Sequence, residues 1–287
     1  MEKKRLSIRF ADFWGGFNYD PTRYTGGDNT LFDILSERFA IDVNDDPDIL
    51  VYSVFGSTNR SIKARKRVFF TGENIRPNMA DCDYSISFDH IDDPRCLRFP
   101  LSAITLYENN VRGAFPRTPD PRAALSQKTR FCNFVFSNAN APHRNDFLAR
   151  LSRYKTVDCG GRAFNNTGGP VSDKLGFIRN HKFTICFENS EHPGYTTEKL
   201  VHPKLVDSIP IYWGNPEVAR DWNTRAIISA YDFRSLDELV DFVREADRND
   251  SICLNLLSEP HFNNERPSPD LDPSSLHDFF DGILLGL

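Results

Sequence analysis

The order of the apolar runs limits what this chain can fold into more than any other feature. Residues 183–187 (FTICF) and 209–213 (IPIYW) are short apolar runs bounded by polar residues, the pattern of buried strands. Between them, ENSEHPGYTT carries the breakers Pro193 and Gly194. A helix is then expected from Glu198, capped by Thr196 or Thr197. Strand, turn, helix and strand over this length make a parallel crossover unit. The free N–H groups and dipole of a helix opening favour an anion, and Lys199 adds a full positive charge there. The unit therefore predicts a place to hold a phosphate.

The same alternation runs through the rest of the chain. Leu6, Ile8 and Phe10 alternate with Arg5, Ser7 and Arg9, and residues 48–55, 67–71, 84–88 and 97–101 read as further strands. Asp28 is expected to cap a helix carrying Leu31, Ile34, Leu35 and Phe39. Between residues 110 and 128 the pattern lapses into RGAFPRTPDPRAALSQK, the best linker candidate. A second series follows: a strand from Arg130, a helix over 144–154, a strand over 154–158, a helix over 172–180 and the crossover unit. Residues 227–233 and a helix over 235–246 continue it. The expected class is α/β, with two Rossmann-like domains facing a central cleft, over 1–120 and 121–287. The striped helix at 274–287 is free to pack back on the first domain.

A net charge of −5 argues against a nucleic-acid partner, so an anionic ligand must meet a local basic cluster. The six cysteines show no CxxC pair and read as reduced core thiols. No apolar run is long enough to span a membrane, and the first residues run straight into a strand rather than a secretory leader. His143, His181, His192 and His202 lack metal-ligand spacing.

Transfer of a group away from a held phosphate needs a base, a stabilised leaving group and support for any positive charge that develops on the group transferred. Glu73 follows a predicted strand, where catalytic groups of an α/β sheet emerge; the plainer reading is a loop cap with Asn74. Arg144 and Lys199 each open a helix, one as a fork for phosphate and one as a point charge; the plainer reading is solvated surface. Glu198 is also simply a favourable acidic residue in a first turn. Phe13, Trp14 and Tyr19 are acceptor-binding candidates whose rings suit a pyranose face or the core equally well.

Several blocks resemble the α1,3-fucosyltransferase family (glycosyltransferase family 10), of bacterial type. They are FTGEN at 70–74, SFD at 87–89, FVFSN with Arg144, DCGGR at 158–162, FENS at 187–190, PGYTTEK at 193–199 and IPIYWG at 209–214. The resemblance implies a GT-B fold, the first half binding the acceptor and the second the nucleotide sugar. It implies GDP-β-L-fucose as donor, inversion to an α-fucoside, and a Gal-GlcNAc acceptor fucosylated at O-3 of GlcNAc (Lewis X type), with O-4 transfer as the variant. By the same resemblance Glu73 is the base, Glu198 faces the fucose, and Arg144 and Lys199 hold the diphosphate. Asn189 and Tyr195 contact nucleoside and sugar. Glu188 either binds guanine or ribose or orders the FENS turn, and Arg162 lines the nucleotide cleft. No cofactor or metal is implied. Family members that carry heptad repeats, basic tails or membrane anchors differ from this sequence, so the expected location is cytoplasmic, or peripheral at the inner membrane. Oligomeric state is left open. The rival readings are the same fold acting on another nucleotide sugar, and a non-catalytic carbohydrate- or nucleotide-binding module.

Overall fold

The computed structural model of this chain describes residues 3–14 and 29–287. It divides into one unit of Met1–Arg112 with Pro269–Leu287 and a second of Gly113–Ser268. In the first, β1 (Lys4–Ala11) leads to α1 (Thr30–Arg38) and β2 (Phe39–Val43). There follow β3 (Ile49–Tyr52), β4 (Lys66–Phe70), β5 (Tyr84–Ser87), β6 (Cys96–Arg98) and α2 (Leu101–Glu108). Among the described residues the sheet order is β2-β1-β3-β4-β5-β6, every pair parallel. Leu6, Ile8 and Phe10 are buried on β1, as the alternation requires.

The second unit opens with α3 (Pro121–Ser126), then β7 (Arg130–Phe134), α4 (Pro142–Ser152), β8 (Val157–Cys159), α5 (Lys174–Arg179) and β9 (His181–Phe187). It continues with α6 (Glu198–Lys204), β10 (Ile209–Trp213), β11 (Ile228–Ser229), α7 (Leu236–Arg248) and α8 (Asp250–Ser258). Its sheet, order β11-β10-β9-β7-β8, is also parallel. Phe134, Phe147, Phe183, Phe187 and Ile211 form part of its core. The last helix, α9 (Pro273–Leu285), belongs to the first unit. Its His277 Nε2 donates to the Ile34 carbonyl at 2.6 Å, and Lys4 pairs with Asp281 at 2.7 Å.

Several local readings change. The cap of α1 is Asn29, whose Oδ1 accepts from Phe32 N at 3.0 Å, whereas Asp28 lies outside the described residues. The proline-rich segment contains a helix of its own, α3, because Asp120 caps it and Pro121 fits its first turn. The second unit begins at Gly113, before that helix rather than after Asp120. The run at 227–233 shortens to the two-residue β11, followed by a 3-10 turn.

Candidate active site

The chemistry gathers where β7 and β9, neighbours in the second sheet, reach their C-terminal ends. Ligands of open parallel sheets bind there because the loops and helix openings converge. Glu188, the residue after β9, is fully buried, and its N–H donates to the Trp213 carbonyl at 2.9 Å. One carboxylate oxygen accepts from Thr197 N at 2.9 Å, and the Thr197 hydroxyl lies 2.8 Å from the other. Gly214 leaves room for this: its φ is +144°, and a Cβ would stand 2.3 Å from Glu188 Cγ. Asn215 holds the approaching loop, its Oδ1 accepting from Gly194 N at 2.7 Å and its Nδ2 donating to Thr196 Oγ1 at 3.0 Å.

Thr197 is the cap of α6 and accepts from Lys199 N, so this short helix offers less free N–H than its sequence promised. Charge on side chains dominates instead. Lys199 Nζ lies 3.0 Å from Thr197 Oγ1, 3.1 Å from Glu188 Oε2 and 3.3 Å from Glu198 Oε1. Lys174, at the start of α5, places its Nζ 3.7 Å from the same Glu198 oxygen. Burial alone would lower the Lys199 pKa, but Glu188 and then Glu198 outweigh it, and the ammonium is held above its ordinary value. Burial would likewise raise the Glu198 carboxyl; Lys199, Lys174 and His202 outweigh that and hold it below the usual carboxylate range. Glu188 goes the other way, burial pushing its carboxyl up against the pull of Lys199.

Arg144, in the first turn of α4, is almost wholly buried. Nη1 donates to Asn189 Oδ1 at 2.7 Å and Nη2 to the Asn138 carbonyl, while the guanidinium carbon lies 4.8 Å from the Phe136 ring centroid. Nε has no partner among the described residues. Burial lowers its pKa, offset by Glu188 and Tyr195, which places all three in one electrostatic neighbourhood. Phe136 is where it must be because the DCGGR turn presses on it: a Cβ on Gly161 would come 1.8 Å from the Phe136 carbonyl oxygen. Tyr195 is buried beside this cluster, its carbonyl accepting from Tyr212 OH at 3.3 Å.

The expected site residues Arg144, Glu188, Asn189, Tyr195, Glu198 and Lys199 thus come together within the second unit. Both Glu188 oxygens meet Thr197, and Oε2 also meets Lys199, contacts that order the turn. Arg162 is exposed after β8 and makes no ion pair among the described residues. Glu73 follows β4 in the first unit with its side chain exposed, and its N–H donates to Thr71 Oγ1 at 3.0 Å. Phe13 is no sugar platform. Its ring is buried and stacked on Phe70 with centroids 5.5 Å apart, which commits it to the core. Trp14 is half-buried against Phe55 and Phe70, and Tyr19 lies outside the described residues. Lys174 and Thr197 escaped the sequence reading as site residues. Thr197 carried a signal as a helix cap, but Lys174 is separated in sequence from every group it serves.

Comparison with known proteins puts this geometry in context. Residues 8–107 match the family model "Alpha-(1,3)-fucosyltransferase FucT N-terminal domain", and residues 125–257 match "Glycosyltransferase family 10 (fucosyltransferase) C-term". The chain is 32% identical over 293 aligned residues to the alpha-(1,3)-fucosyltransferase FucT of Helicobacter pylori, covering 90% of this chain and 60% of that protein. It therefore spans somewhat over half of that relative's length. Two crystal structures of an alpha1,3-fucosyltransferase, one of them with GDP-fucose, superpose with TM-scores of 0.81 and 0.79 at 29% identity, covering 99% of this chain and 91% of theirs.

Proposed function

The chain belongs to glycosyltransferase family 10, and from that footing we propose that it is an inverting α1,3-fucosyltransferase using GDP-β-L-fucose. The observation that carries this reading is the cluster at the ends of β7 and β9. Arg144 is fixed by Asn189 there, and Lys199 is held charged by two carboxylates. Such cations suit a nucleoside diphosphate, whose negative charge grows as the sugar departs.

In the proposed reaction the acceptor hydroxyl oxygen forms a bond to C1 of fucose. The C1–O bond to the β-phosphate breaks, and its electron pair leaves with GDP. Glu73 takes the hydroxyl proton, and its exposed carboxylate is free to do so once an acceptor covers it. Arg144 and Lys199 neutralise the departing diphosphate, and Glu198 supports the developing positive charge on the sugar. These side chains supply the charge, so no metal or other cofactor is part of the proposal; turnover is expected to survive a chelator. The acceptor is proposed to be a Gal-GlcNAc glycan, fucosylated at O-3 of GlcNAc, with Trp14 as an aromatic contact. No helix among the described residues is long and apolar enough to cross a membrane. A cytoplasmic placement, or a peripheral one at an inner membrane, belongs to the same proposal.

Turnover of GDP-fucose against GDP-mannose and UDP-galactose, with type I and type II disaccharides and NMR of the product, tests the reading. A 3-linked α-fucoside on the type II acceptor is expected. Faster turnover of another nucleotide sugar would favour the rival substrate, and binding without turnover of any donor would favour a non-catalytic module.

A further inference from the structure

Lys199 has three N–H donors, and three oxygens already stand within 3.3 Å of its Nζ: Thr197 Oγ1, Glu188 Oε2 and Glu198 Oε1. A phosphate oxygen can be received only if one contact opens. Glu188 is the wrong one to open, because its side chain is fully buried and would be left an unpaired charge in the interior. Thr197 is itself bound to Glu188. Glu198 remains. Its side chain is 28% exposed, and Lys174 Nζ already waits 3.7 Å from the oxygen that Lys199 holds.

We propose that when a diphosphate takes Lys199, Glu198 passes to Lys174, which makes Lys174 the positioning residue that keeps Glu198 ionised and clear of the arriving phosphate. The inference rests on Lys199 being a diphosphate ligand, as proposed above. Glu198 faces Lys199 and His202 from its own helix, Lys174 from α5, and Glu188 from the end of β9. Lys174 faces Glu198, Lys199, Glu188 and Cys186, and Lys199 also faces Tyr195. His202 cannot replace Lys174 as the cation, since burial drives its pKa down to about 4. Without Lys174, the released Glu198 would have no charged partner at neutral pH. It would then either protonate or hold Lys199 back from the phosphate.

The test is the pH dependence of kcat with GDP-fucose for the full chain and for Lys174→Met, Lys174→Gln and Lys174→Arg, alongside calorimetric titration of Lys199→Met with GDP. Loss of one nearby cation is expected to move the acid limb of kcat upward by about one pH unit in the Met and Gln variants, and Arg should restore it. A structural role alone would lower the plateau rate and leave the limb in place, which would overturn the inference. If Lys199→Met binds GDP as tightly as the parent chain, the donor-site reading itself fails. If that variant binds GDP more weakly but the Lys174 variants keep the parental limb, only the exchange is wrong.

Discussion

At the scale of single residues, the site depends on side chains whose donors are committed in pairs. Arg144 uses one nitrogen for Asn189 and another for the Asn138 carbonyl, a fork that a lysine cannot reproduce. Arg144→Lys is expected to keep the charge and still weaken GDP binding by about tenfold or more, read by calorimetry, since each charge-assisted bond contributes roughly 1.5–3 kcal/mol. Glu188 is the more structural of the two. Its removal would leave Lys199 without its buried partner and Thr197 N–H without an acceptor. Glu188→Ala should lower unfolding free energy by about 3–5 kcal/mol in urea denaturation, with Glu188→Gln falling between it and the parent. FENS announced a special turn, yet only the folded chain shows that its glutamate faces inward.

At the scale of elements, α6 carries opposite problems at its two ends. At the start, Lys199 has two carboxylates; at the end, Lys204 is 3% exposed, its Nζ 3.2 Å from the Ala226 carbonyl and 5.9 Å from the Trp222 ring centroid, with no carboxylate partner among the described residues. Burial lowers the Lys204 pKa to about 7. A depressed lysine binds fewer protons folded than unfolded, so stability falls as pH drops from the ordinary lysine range toward 7 and is then flat. Lys204→Met is therefore expected to stabilise the chain at pH 6.5 by on the order of 2 kcal/mol, with the gain shrinking by pH 9.5. Thermal melts at the two pH values measure it. The Lys199 end has the opposite sense: its raised pKa favours folding at all pH values below the ordinary lysine range, and that support is lost only as pH rises past it. The sequence placed this helix well, because Thr197, Glu198 and the flanking strands all point to one start. It missed β2 and α2, since FAIDV follows α1 without a turn signal and LSAITLYE mixes β-branched residues into a helix.

At the scale of the whole molecule, the chain leaves its first unit at Arg112 and returns to it at Pro269. The stability of that unit should then depend on residues at the far end of the sequence. Phe280 on α9 is 1% exposed. Phe280→Ala is expected to destabilise the first unit by about 3–5 kcal/mol, seen as faster hydrogen exchange in β1 and β3, while β9 and β10 keep their protection. Equal loss of protection in both sheets would mean that the two units unfold as one.

Periodicity alone determined most strands and helices of the second series, though not α8 or the shortness of β11, together with the parallel α/β class and the special character of the stretch from Phe187 to Lys199. Those features are local: an apolar run, a breaker or a cap acts on its neighbours, and the sequence displays it directly. Tertiary structure alone decided that Phe13 belongs to the core, that Glu188 turns inward onto Thr197 and Lys199, and that Lys174 joins Glu198. Each of these depends on what stands opposite in space. Burial and charge pairing are set by residues far apart along the chain, and the spacing of letters carries no record of them.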